Sequence, residues 1–373
     1  MSVLVVLTLV IPAYRQAGEF IWGLGFGDWN LTLMDLLIFD MDGVLIDVSR
    51  SYRKTIQQTI HIYLENCLGV RANLVSHEEI SLFKSVGGFN NDWDLTVGFL
   101  LYLLSISKVP PLPKQKRLSS LDEIVLYLRQ HLSNFCQRRA LCLKKNHLSS
   151  FLERVKASGG GLKGVRSVLK GSWNGWVYRS GDLDKENLVK RIFQEVYLGE
   201  KFASHYHLQP LFYKGNGLYL REKLLIGREV LSSLRKKMML GIASGRPRFE
   251  AELALKRFRI SSFFDSVVTL DECETEEARL FAVSKKKVKR TKPHPYSLLK
   301  AIEQINISNP FCGYIGDVVD DMKAAQAAKK NFPMLAIGFL RSGKTEPMMM
   351  EALLHAGADC IIKNPKELLQ LAG

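Results

Sequence analysis

Two kinds of hydrophobic patterning alternate along the 373 residues. From about 33 to 50, and again from 222 to 373, short apolar runs recur: Leu36 to Phe39, Met239 to Ala243, Val267-Val268, Tyr314-Ile315, Leu335 to Ile337 and Cys360-Ile361-Ile362. Between them lie stretches of helical period, Glu229 to Lys237, Phe249 to Phe258, Tyr296 to Ile305, Met322 to Lys329 and Met348 to Ala356. Strands alternating with helices predict an α/β fold with a doubly wound, Rossmann-like parallel sheet.

The region 51–221 reads differently. Ser49 is placed to cap a helix through Tyr52, Ile56, Ile60 and Leu64, whose apolar residues recur every fourth position. Ser120-Leu121-Asp122-Glu123 resembles a capping box opening a helix through Leu128 and Leu132. Asp184 to Tyr197 is another helical stretch. Gly159-Gly160-Gly161 and Pro110-Pro111-Leu112-Pro113 punctuate the pattern as a flexible and a stiff loop. This is a mostly helical cap domain inserted after the first strand. The expected organisation is an N-terminal extension over 1–32, an α/β core over 33–50 and 222–373, and a cap over 51–221.

The chain is 47% hydrophobic and 24% charged, ordinary for a soluble globular protein, and long enough for two domains. Six scattered cysteines form no CxxC pair, which argues against zinc and redox motifs and for reduced thiols in a cytoplasmic protein. The apolar run Val3 to Ile11 is too short to span a bilayer and has no positive patch before it, unlike a signal peptide. An extra strand, an extension or an upstream start fits it better, and no membrane partner is expected. Net charge is +15. Residues 101–180 carry 15 Lys+Arg against 3 Asp+Glu, a balance of +12, and Lys285 to Lys292 form a second cluster. Such surfaces attract anions. Nucleic acid is disfavoured, because no recognised binding motif is present, though the basic cap leaves it open.

Four segments carry chemistry. Asp40-Met41-Asp42-Gly43 follows the first apolar run and sets two carboxylates two residues apart, so that both would project from the strand's carboxyl end. One acid can attack while the other handles protons. Ser244-Gly245 ends the Met239–Ala243 run and offers a hydroxyl and backbone N–H groups to an anion. Lys292 precedes Pro293-His294-Pro295, whose prolines fix the backbone locally. Gly316-Asp317-Val318-Val319-Asp320-Asp321 places three acids after a strand, which suits Mg²⁺.

Together these four segments resemble the haloacid dehalogenase-like hydrolase superfamily, in its order and spacing. The resemblance extends to members with a helical C1-type cap, such as the phosphoglycolate phosphatases. Gly87-Gly88-Phe89-Asn90-Asn91-Asp92-Trp93-Asp94 resembles the cap signature of an uncharacterised subgroup, some of whose members carry names from histidine biosynthesis. Little weight rests on that label. The resemblance implies a magnesium-dependent phosphatase acting through an aspartyl phosphate. Asp40 is then the nucleophile, Asp42 the general acid/base, Ser244 with Gly245 the phosphate binder and Lys292 the stabilising cation. The metal set is Asp40, the Asp42 carbonyl and Asp317, with Asp321, preferred to Asp320, as the second acid of the fourth motif supporting the metal. Asn90, Asn91, Asp92 and Trp93 are candidates for substrate choice. The expected substrate is a small phosphorylated metabolite and the expected state a monomer or homodimer. Two alternatives stand: a sugar phosphomutase of the same superfamily, and a non-catalytic binding protein using its basic cap.

Overall fold

The computed structural model describes residues 34–70, 75–89, 91–107, 109–112, 118–136, 147–170, 175–341 and 346–371. The expected extension over 1–32, with its Val3–Ile11 run, lies outside them. So do Asn90, Pro113 and part of the basic stretch, including Lys108, Lys114, Lys116, Arg117 and Lys144. No helix among the described residues is long and apolar enough to cross a membrane.

The described residues divide into two compact units, one formed by 34–46 with those from Leu224 onward, the other by those within Asp47–Lys223. Its strands are β1 (Leu36–Phe39), β2 (Ile46–Asp47), β3 (Lys223–Leu224), β4 (Met239–Ala243), β5 (Ser266–Val268), β6 (Cys312–Gly316), β7 (Met334–Phe339) and β8 (Cys360–Ile362). Six make one parallel sheet in the order β5-β4-β1-β6-β7-β8, and β2 pairs with β3 in a short ribbon.

The order of connection positions the site. From β1 the sheet first grows to one side, through β4 and β5. It then returns across β1 and grows to the other, through β6, β7 and β8. Doubly wound sheets open a crevice at this reversal, outside the carboxyl ends of the strands. Phe39 is level with Ile242 on one side and Ile315 on the other. The segments that follow β1, β4 and β6 therefore emerge side by side.

Burial explains why these strands read clearly as apolar runs. Leu36, Ile38, Ala243, Tyr314 and Ala336 are covered by Leu298, Ala301 and Ile302 of helix Tyr296–Ile305 and by Met322, Ala325 and Ala328 of helix Val319–Ala328. The charged segment between the second and third motifs forms helix Leu270–Ser284, capped by Thr269 and Glu272. Residues 285–290 follow it without regular structure.

The second unit is helical. Its helices are Tyr52–Ile62, His77–Ser85, Asp92–Ile106, Leu121–Cys136, Leu148–Ala157, Gly161–Leu169, Leu188–Leu198 and Glu200–Tyr206. Phe83, Phe99, Tyr102 and Phe151 form an aromatic cluster within it. Three sequence expectations need correction. Ser51, not Ser49, precedes the first helix, and its side chain makes no cap hydrogen bond to it. Asp184 lies in a turn whose N–H groups of Lys185, Glu186 and Asn187 all donate to the Asp182 carbonyl; the helix starts at Leu188, capped by Asn187. Gly159–Gly161 is a tight crossing and not a flexible break: the Gly161 N–H donates to Gly87 O at 2.8 Å, and a Cβ on Gly161 would lie 2.1 Å from Gly88 O.

Candidate active site

The site begins at the turn after β1. The Asp40 N–H donates to Ile315 O at 2.8 Å, which fastens it to β6. The chain then reverses: the N–H groups of Leu45 and Ile46 donate to Met41 O, and that of Gly43 to Ile46 O. Gly43 has φ +83°, and a Cβ there would lie 2.0 Å from Asp317 Oδ2. Both the backbone conformation and the close approach require glycine. The expected shared strand face of Asp40 and Asp42 is not what positions them. Both lie beyond β1, in the turn, and their carboxylates take different partners.

Asp40 faces Lys292. The Lys292 Nζ lies 2.7 Å from Asp40 Oδ1, 2.6 Å from Asp321 Oδ1, 2.9 Å from the Tyr314 hydroxyl and 3.4 Å from Ala243 O. Tyr314 in turn donates to Asp321 Oδ1 at 2.8 Å. The other oxygen of Asp321 accepts the N–H groups of Asp317 and Val318, each at 3.2 Å. Asp321 is fully buried and thus ties together Lys292, β6 and the loop that presents Asp317. Gly316 allows this packing, because a Cβ there would lie 2.3 Å from Asp321 Cβ.

Burial dominates the electrostatics. It raises the Asp40 carboxyl from its ordinary 3.8 to about 7; Lys292 works against that rise, and Asp321 and Asp42 add to it. Burial also opposes the Lys292 charge, but Asp321 and Asp40 more than offset it and hold the ammonium well above its ordinary range. Lys292 is therefore a permanent cation beside a carboxyl that is costly to ionise.

Asp42 faces the segment after β4. Its Oδ1 accepts the Arg246 Nε at 2.5 Å; the arginine side chain is wholly buried, and that of Asp42 is one-quarter exposed. The Arg246 N–H donates to Ser244 Oγ at 3.2 Å, and the Ser244 N–H donates to Val268 O. Ser244 is buried and Gly245 exposed. The sequence reading missed Arg246 and Tyr314. Arg246 stands beside Ser-Gly in the motif, and Tyr314 is a hydroxyl inside an otherwise apolar strand; either feature could have drawn attention.

Asp40, Asp317 and Asp321 each offer a carboxylate oxygen, and these atoms lie within 4.8 Å of one another. The donors are hard oxygens, as Mg²⁺ prefers. The four carboxylates of Asp40, Asp42, Asp317 and Asp321 outnumber the two cations Lys292 and Arg246, so a divalent ion fits the local charge. Asp320 is not a member of the cluster. The substrate-choice candidates lie in the helical unit. Asn91 caps helix Asp92–Ile106, Asp92 pairs with Lys84 at 3.2 Å, and Trp93 meets Phe193 edge-on with the Lys190 Nζ over its ring.

Residues 212–329 match the family model of the haloacid dehalogenase-like hydrolases. A 75-residue stretch is 39% identical to a phosphoglycolate phosphatase of Xylella fastidiosa, covering 20% of this chain and 29% of that protein. A 60-residue stretch is 45% identical to an imidazoleglycerol-phosphate dehydratase of Phytophthora nicotianae, covering 16% of this chain and 12% of that one. The matches thus span under a third of either relative. A crystal structure solved as a Northeast Structural Genomics Consortium target shares the fold, with TM-score 0.58 and 19% identity over 91% of this chain and 98% of that one.

Proposed function

We infer that this chain is a haloacid dehalogenase-like hydrolase, a reading supported by the family match over residues 212–329, and that it hydrolyses a small phosphomonoester through phospho-Asp40. Asp40 attacks phosphorus. Asp42 gives a proton to the leaving alkoxide, then takes one from the water that cleaves the aspartyl phosphate. Ser244 and Gly245 hold the phosphoryl oxygens, and Lys292 offsets their charge as it moves toward Asp40. A Mg²⁺ ion, when bound, would draw charge from the phosphoryl group. Asp40, Asp317 and the Asp42 carbonyl are the groups to hold it, with Asp321 keeping Asp317 and Lys292 in place.

One observation carries this reading: a single partly buried ammonium, that of Lys292, lies within 2.7 Å of both Asp40, just past the end of β1, and Asp321, in the first turn of the helix after β6. It brings residues 252 and 29 positions away in sequence to one point. Substrate choice is assigned to the Asn90–Trp93 segment. The test is phosphate release from a panel of sugar, glycolate, nucleotide and amino-alcohol phosphates, with and without Mg²⁺. Magnesium-dependent release is expected; no release from any ester would sink the reading, and interconversion of sugar phosphates without net release would turn it to a mutase.

A further inference from the structure

We propose that Arg246 is a positioning residue of the reaction, acting through Asp42. The inference rests on the phosphatase reading and adds to it a residue that the sequence did not mark. Asp42 sits in a turn held by backbone bonds among Met41, Gly43, Leu45 and Ile46, none of which fixes its side chain. Its task needs a definite direction, toward the oxygen that leaves and the water that enters. The Arg246 Nε, 2.5 Å from Asp42 Oδ1, supplies a direction from behind.

Exposure separates this role from substrate binding. The Arg246 side chain has no accessible surface, whereas Asp42 keeps one-quarter of its own. The guanidinium lies on the protein side of the carboxylate and the carboxylate on the open side, so Arg246 acts on a substrate only by way of Asp42. A rigid, planar guanidinium suits this better than a lysine, whose flexible stem sets no angle.

The backbone of Arg246 completes the arrangement. Its N–H donates to Ser244 Oγ at 3.2 Å, and its carbonyl accepts the Leu270 N–H at 2.9 Å. One residue thereby holds both the hydroxyl assigned to the phosphate and the carboxylate assigned to the proton. Apolar replacements of buried ion pairs are often neutral or stabilising, so a buried charge calls for a reason, structural or chemical. Placement of the proton-transfer group gives this charge a reason to be there.

The test is a double-mutant cycle on the full chain: Arg246→Met, Asp42→Asn and the pair, with kcat and KM measured on the best ester of the panel. Arg246→Met is expected to lower kcat about 10- to 100-fold with KM little changed, the scale of a misplaced catalytic group. Asp42→Asn is expected to cost about 10²–10⁴. The pair should be no slower than Asp42→Asn within about twofold, because an arginine that works through Asp42 has nothing left to position. Arg246→Lys should recover part of the loss. It also carries the cycle if Arg246→Met does not fold, as thermal melting would show. A wild-type rate in Arg246→Met would overturn the proposal. So would a rise in KM alone, or losses that multiply in the pair. Absence of turnover in the wild type removes both this inference and the phosphatase reading. Turnover with an unaffected Arg246→Met removes this inference alone.

Discussion

Each unit of the molecule buries an ion pair, and the two pairs are built to opposite rules. In the helical unit, Glu195 accepts the Arg191 Nε at 2.6 Å and the N–H groups of Leu211, Phe212 and Tyr213, while Arg191 also donates to Gln209 O. Both carboxylate oxygens are occupied, and the pair's work is to hold the 209–213 segment against its helix. In the α/β unit, the Asp40 carboxylate accepts from Lys292 alone among the described residues. Its burial is nearly as complete, yet it is far less satisfied. Buried polar groups are normally saturated. Asp40, with one protein donor and its carboxyl pushed up to about 7 by burial, is a nucleophile held where chemistry can use it.

The contrast breaks most sharply on substitution of the two acids. Asp40→Asn is expected to abolish turnover and to leave the melting temperature of the metal-free protein unchanged or raised. Glu195→Ala is expected to cost about 3–5 kcal/mol, the usual penalty for orphaning a buried partner, with kcat per folded molecule unchanged. Denaturant melts beside active-site-normalised rates read both. Retained turnover in Asp40→Asn would remove its role as nucleophile. A smaller but still large effect is expected at Lys292. Lys292→Met should lower kcat about 10²–10³-fold, as loss of one preorganised charge donor does, whereas a change confined to stability would make Lys292 a mere counterion.

A third difference concerns pH. The folded carboxyl of Asp40 binds its proton up to about 7, and the unfolded one only to about 3.8. Between those values the folded state holds more protons, so stability falls as pH rises through the window. Chelator-treated protein is therefore expected to melt lower at pH 8 than at pH 5. Millimolar Mg²⁺ should raise the melting temperature more at pH 8, where it does not compete with a proton on Asp40. Asp40→Asn should flatten both trends; an equal magnesium shift at the two pH values would sever the ion from Asp40.

The α/β unit was legible because its signals are local. β1, β4, β8 and helix Tyr296–Ile305 fall where the apolar runs and helical period placed them, since a buried parallel strand shows its burial in every residue. Three of the four chemical segments were legible because each directly follows a strand, β1, β4 or β6; Lys292 was marked instead by the prolines after it, ahead of helix Tyr296–Ile305. What was not legible depends on where a side chain turns. Arg246 could have faced solvent, and Tyr314 read as one more core residue until its hydroxyl met Lys292 and Asp321. The helical unit hid more, because its contacts join distant residues. Gly87-Gly88 reads as a loop until it meets Gly159–Gly161, some seventy residues on. Ser49 and Asp184 were read as helix starts, but Ser49 lies in a turn ahead of a helix with no side-chain cap, and Asn187 caps the other helix.

The smallest expected effect tests whether the helical unit shares in the chemistry at all. Asp92 pairs with Lys84 at 3.2 Å, and Lys84 is more than one-third exposed. Such a pair is worth at most about 1 kcal/mol, so Asp92→Asn should barely move the melting temperature. Trp93→Ala removes a half-buried ring from Phe193 and Lys190 and should destabilise more. If the Asn90–Trp93 segment selects the substrate, both variants shift the ranking of esters by kcat/KM, by about 10-fold or less, which is what one pocket contact can discriminate. Stability and ranking are then uncoupled: Asp92→Asn changes the ranking at nearly constant stability. An unchanged ranking in Asp92→Asn, with Trp93→Ala altering only the melt, would make the segment part of the helical packing. Substrate choice would then have to be sought elsewhere in the chain.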